Sequence, residues 1–170
     1  MSETVQEYMQ RMLSNSAGKD PLKVQGATPA KLKRLIQGVP ASKLRKRPAP
    51  GKWSAGEIIA HLGDAELATS WRIRQILSAP GTPLQAYDQD AWAASGRYEK
   101  RDARKSLELF RILREANLAL LKSLTPAQRK LHGLHAERGA ETIDHISQMM
   151  AGHDLNHLAQ VARLMGRKKS

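Results

Sequence analysis

The chain is 170 residues long, has no cysteine and carries a formal net charge of +12. That length supports one domain with its own core and no disulfides, and the absent thiols exclude cysteine as nucleophile or metal ligand. No apolar run approaches the roughly 18 residues of a membrane span, and Met1 to Gln10 lacks the layout of a secretory signal, so a cytoplasmic protein is expected.

In chain order, Val5, Tyr8, Met9 and Met12 recur at helical spacing and predict a helix within residues 1–13, followed by a connector from Ser14 to Ala27. Thr28-Pro29 opens a second helix through Leu32, Leu35 and Ile36, stopped at Gly38-Val39-Pro40. Pro48 to Trp53 is a rigid lead-in to a long helix, in which Ser54 and Glu57 form a capping box. Its apolar stripe runs Ile58, Leu62, Ala65, Thr69, Ile73 and Ile76, to about Leu77, before Pro80-Gly81-Thr82-Pro83. Asp88 to Ala94 reads as a short helical turn anchored by Trp92. The next long helix spans Asp102 to Ser123, with Leu107, Phe110, Leu113 or Arg114, Asn117, Leu121 and Leu124 facing inward. Thr125-Pro126-Ala127-Gln128 caps a short helix ending near His132-Gly133. The last helix runs from near Glu141 to about Met165, where Gly166 stops it.

No period-two alternation marks a strand. The pattern predicts an all-α fold, four principal helices in a bundle with additional short helices. Residues 1–27 would form the N-terminal helix and connector, 28–166 the bundle domain and 167–170 a basic tail.

The last helix carries the most informative feature. Its stripe reads Ile143, Ile146, Met150, His153, His157, Val161 and Leu164, so two histidines one turn apart take places reserved for buried side chains. Paired imidazoles in an apolar interior need something to satisfy their polar atoms, and a metal does so. His61, three residues after Ile58 and four before Ala65, offers a third nitrogen from the inner face of its own helix. The pair by itself fits a surface or hydrogen-bonded core pair equally well, and no Glu follows His153 to make a zincin signature. Asp64, Asn156 and Gln160 are candidates to orient the rings through their second nitrogens. Glu57 is assigned to capping, Asp154 points away from the line joining the two histidines, His145 takes a flanking or solvated role, and His132 and His135 read as loop residues, with overhanging the site as the alternative.

Pro50-Gly51-Lys52-Trp53-Ser54, His61-Leu62-Gly63-Asp64-Ala65-Glu66 and Gly152-His153-Asp154-Leu155-Asn156-His157-Leu158-Ala159-Gln160 together resemble the DinB-like superfamily. The likeness runs from about Asp20 to Met165 and takes in Asp88 to Trp92 and His135 to Gly139. It implies an up-down four-helix bundle, a homodimer, and a metal triad of one His on the second bundle helix and an H-x-x-x-H pair on the last. Those positions match His61, His153 and His157. Relatives of this kind include bacillithiol transferases and the mycothiol-dependent maleylpyruvate isomerase.

A three-nitrogen set leaves a coordination place for water or substrate. The expected cofactor is a divalent ion, zinc or nickel first, with manganese or iron compatible. The leading expectation is a transferase in which the metal activates a small-molecule thiol for attack on an electrophile. The alternatives are a hydrolase using metal-bound hydroxide and a non-catalytic, stress-related metal-binding or interaction protein. Nucleic acid is not expected as a partner. The basic residues are dispersed except at Lys43 to Arg47 and Arg167 to Lys169, and stacking groups are limited to one Phe, three Tyr and three Trp.

Overall fold

The computed structural model describes residues 3–167; Met1, Ser2 and Lys168 to Ser170, the end of the basic tail, lie outside the described residues. The described chain folds as a mostly helical bundle with α1 (Val5–Ser16), α2 (Pro21–Ile36), α3 (Ala41–Arg45), α4 (Ala55–Ser78), α5 (Gln89–Ser95), α6 (Ala103–Ser123), α7 (Pro126–Arg129) and α8 (Ile143–Leu164). The bundle proper is α2, α4, α6 and α8, with α4 packed on α6, α2 on both α6 and α8, and α1 laid along α8. No helix among the described residues is long and apolar enough to cross a membrane.

The long helices fall close to their sequence signals because their caps are explicit. Ser54 accepts from Glu57 N while the Glu57 carboxylate accepts from Ser54 N at 2.8 Å, and Asp102 accepts from Arg104 N and Lys105 N. Two clusters of buried side chains fill the interior. One, around Leu32, Ile59, Leu107, Phe110 and Val161, joins α2, α4, α6 and α8, and the other, around Ile73, Ile76, Leu121 and Ile143, closes the far end.

Three features depart from the sequence expectation. The first concerns α2, which begins at Pro21 rather than Thr28, because Asp20 accepts from Leu22 N and Lys23 N and Pro21 takes a first-turn position. Pro29 is therefore inside the helix, where it lacks the N–H that would serve the carbonyl of Gln25. Arg114 Nη1 donates to that carbonyl instead, at 3.0 Å, and the helix continues.

The second is a small sheet of β1 (Pro83–Leu84), β2 (His132–His135) and β3 (Gly139–Thr142), which corrects the strand-free reading. β1 pairs parallel with β2, and β2 antiparallel with β3. Strands of two and four residues are too short to show periodicity. Gly133 lets β1 approach: a Cβ there would sit 2.7 Å from the Leu84 side chain. Third, Glu141 belongs to β3, and α8 starts two residues later because Thr142 is its cap.

Candidate metal centre

His61 lies in the second turn of α4, and His153 and His157 lie one turn apart on α8. All three are buried. His153 Nε2 is 3.0 Å from His61 Nε2 and 3.0 Å from His157 Nε2, and a ligand atom from each ring lies within 4.8 Å of the others. The helical stripe that buries α8 thus aims both of its imidazoles at the ring presented by α4.

Three lone pairs brought together without a shared proton or cation would repel. Burial lowers the pKa of all three rings: His61 to about 3, with His157 adding to the effect, His157 to about 4, and His153 well below its ordinary value. The rings are therefore neutral at neutral pH, the form that binds a metal. The Gln160 side-chain oxygen lies 2.8 Å from His157 Nδ1 and accepts its proton, which leaves the Nε2 lone pair pointing inward. Ligands about 2.0–2.1 Å from a tetrahedral ion stand roughly 3.3 Å apart. The nitrogens of His61 and His157, each 3.0 Å from that of His153 and all within 4.8 Å of one another, fit a small divalent ion with a slight spreading of the rings.

Of the groups expected to orient the imidazoles, Gln160 makes that contact and two do not. Asp64 accepts from the Tyr98 hydroxyl at 2.7 Å and from Arg101 Nη1 at 3.0 Å, and Asn156 accepts from Arg11 Nη1 at 2.9 Å. Glu57 serves its cap and also takes Arg47. Asp154 is directed away from the rings into a buried ion network that helical periodicity did not announce. Arg114 Nη2 donates to Glu66 at 2.8 Å and to Asp154 at 3.1 Å, while Asn117 donates to Glu66 at 2.7 Å.

The structure corrects the loop reading of His135 and agrees with the alternative that it overhangs the site. The alternation His132-Gly133-Leu134-His135 is a short strand, and its inward positions are Gly133 and His135. His135 Nδ1 accepts from Glu137 N at 3.2 Å, while its Nε2 is buried without a partner among the described residues, as is Nδ1 of His153. His132 is exposed, and His145 stands 3.8 Å from Glu141.

Two cavities reach the imidazoles. One, of about 430 Å³, is lined by Trp53, Ile58, Leu164, His157 and Gln160. The other, of about 450 Å³, is lined by Tyr8, Arg72, Tyr87, His135, Arg138 and His153. Gln89 and Asp90, at the start of α5, border both.

The chain is 26% identical to YfiT of Bacillus subtilis over 98% of this chain and 95% of that protein, and YfiT is provisionally named a metal-dependent hydrolase. A protein of Oceanobacillus iheyensis with the same provisional name is 27% identical over 69% of this chain and 68% of its own length. The solved structure of YfiT, described as a four-helix bundle of unusual topology, superposes with a TM-score of 0.79 at 23% identity, covering 98% of this chain and 92% of that one. That likeness extends the observed bundle to a solved protein. The family model of the DinB superfamily matches residues 26–161, a span holding all three histidines and all four bundle helices save the first turns of α2 and the last of α8, and the chain belongs to that superfamily.

Proposed function

We propose that the protein is a metal-dependent enzyme that activates a small-molecule thiol for attack on an electrophile. The observation that carries this reading is the convergence of three neutral, buried Nε2 atoms from two helices. Three protein ligands are typical of catalytic sites, whereas structural zinc takes four. A divalent ion in this set, zinc or nickel before manganese or iron, supplies Lewis acidity that brings the pKa of a joining thiol or water toward neutrality.

The chain's own residues favour the thiol. Glu57 is held by Arg47, Asp64 by Tyr98 and Arg101, and Glu66 and Asp154 by Arg114, so the carboxylates nearest the histidines in sequence are engaged elsewhere. A thiol, with an ordinary pKa of about 8.5, needs little help to ionise. A cosubstrate sulfur also supplies the nucleophile that a chain without cysteine lacks. Gln160 fixes the tautomer of His157, and the Trp53 ring, 5.0 Å from that of His61, covers one side of the centre.

Hydrolysis of an ester or amide is a second reading. The provisional names of the relatives favour it, and Asp90, bordering both cavities, offers a carboxylate for proton transfer to a leaving group. The test is a screen of metal-loaded protein against electrophiles, esters and amides, with and without added thiols and chelator. Thiol-dependent, chelator-sensitive consumption of an electrophile is the expected result. Turnover without thiol assigns hydrolysis, and no turnover from protein with a loaded centre leaves a binding protein and contradicts both enzymatic readings.

A further inference from the structure

The two cavities differ in chemistry and meet different ligand histidines. The first is walled by apolar side chains, Pro48, Trp53, Ile58 and Leu164, and ends at His157. The second, built from Tyr8, Tyr87, Arg72, Arg138 and His135, ends at His153. The start of α5 separates them. Both are of the size that holds a small molecule.

We propose that the centre is a two-substrate site, in which the apolar cavity binds the electrophile and the polar cavity binds a carboxylate-bearing cosubstrate through His135. This rests on the enzymatic reading of the centre.

His135 is the residue that points to a ligand. Because its Nδ1 accepts the backbone N–H of Glu137, its proton sits on Nε2, and that buried donor has no acceptor among the described residues. When His153 offers its Nε2 lone pair to an ion, its Nδ1 carries a proton as well, equally buried and equally without a partner. Both imidazoles line the polar cavity, and each then carries a buried N–H that lacks an acceptor. Burial, aided by Arg138 and Arg72, lowers the pKa of His135 against the opposing pull of Glu141 and Glu137. The ring is thus a neutral donor near two guanidinium groups, of which Arg138 is paired with Glu141. Of the acidic side chains of this cavity, Glu3, Asp88, Asp90 and Glu137 are exposed, and Glu141, which is buried like both donors, is paired with Arg138. A ligand would place its carboxylate inward and any ammonium group toward that acidic rim.

Two probes test this. S-methyl-L-cysteine has the carboxylate and ammonium but no thiol to bind a metal, and N-phenyl-1-naphthylamine is a neutral fluorophore that brightens in apolar surroundings. Calorimetry and fluorescence are run on the metal-loaded and the chelated protein. Both probes should bind at once, saturation with one changing the affinity for the other by less than about twofold. His135→Leu should weaken S-methyl-L-cysteine at least about tenfold and leave the fluorophore unaffected, while His135→Gln, which keeps a donor, should recover part of the loss. Leu164→Trp should weaken only the fluorophore. Mutual exclusion of the probes, failure of either to bind, or an unchanged affinity in His135→Leu would overturn the proposal. Simultaneous binding in a protein that holds no metal and has no activity would refute the enzymatic reading while leaving the two binding sites in place. The reverse pattern, a loaded and active centre with no S-methyl-L-cysteine binding, would refute the cavity assignment alone.

Discussion

The bond from His157 Nδ1 to the Gln160 oxygen is a small contact with a large expected effect, since it fixes both the tautomer and the direction of a candidate ligand. Gln160→Leu should lower metal affinity roughly 10- to 100-fold while circular dichroism stays unchanged; wild-type affinity in that variant would show the contact to be incidental. The depressed pKa values of the three histidines carry a second consequence. The unfolded chain takes up protons on these rings near pH 6.5, whereas the folded protein resists to about 3 at His61 and about 4 at His157. The stability that neutral rings confer is therefore complete above about pH 6.5 and is lost progressively as pH falls from there toward those lower values. Metal-free wild type should lose more urea resistance than His61→Leu between about pH 7.5 and pH 4.5, and equal losses would contradict it. At this scale the sequence was most legible where spacing alone sufficed. The positions of His61, His153 and His157 follow from helical periodicity, but no local pattern says that Asp64 turns to Tyr98 or Asn156 to Arg11, because those partners come from other elements.

Helices are held around the centre by contacts that periodicity cannot anticipate. Arg114 of α6 reaches the carbonyl of Gln25 on α2, Glu66 on α4 and Asp154 on α8, so one side chain ties the four bundle helices together. The sequence leaves Leu113 or Arg114 open as the inward residue, since an arginine facing a core makes sense only once its partners are known; the structure buries Arg114 fully and Leu113 only in part. Arg114→Met should cost about 3–5 kcal/mol, because it strands two buried carboxylates, and adding Glu66→Leu and Asp154→Leu should recover most of that loss. Urea unfolding of the single and triple variants checks both. Gly152 governs the packing of α1 on α8: a Cβ there would stand 1.8 Å from the Met12 carbonyl oxygen. Gly152→Ala should therefore push α1 off α8 and destabilise the protein by about 1–3 kcal/mol or more, with hydrogen exchange rising first in Val5–Ser16. The early start of α2 was missed for a related reason, as Thr28-Pro29 imitates a helix opening while Asp20-Pro21 is the real one.

For the whole molecule, four long capped helices carry the bundle, and that much was readable from the sequence. The small sheet was not, because its strands owe their register to one another and to Gly133 rather than to their own composition. An apolar patch on the outside of the bundle bears on assembly. Leu67 and Trp71 of α4 and Leu109 and Ile112 of α6 are exposed, and a Cβ on Gly63 of α4 would touch Leu109 at 3.8 Å, so the two pairs lie on adjoining helices. We propose this face as the contact of a homodimer; sedimentation should give a dimer for wild type and a monomer for Trp71→Glu, and a monomeric wild type would refute it. If rings from α4 and α8 hold one ion between them, metal titration of the purified protein should count it. Wild type should bind one divalent ion per chain, and His61→Gln and His153→Gln should lose it while staying helical by circular dichroism. Undiminished binding in either variant, or none in wild type, would contradict it.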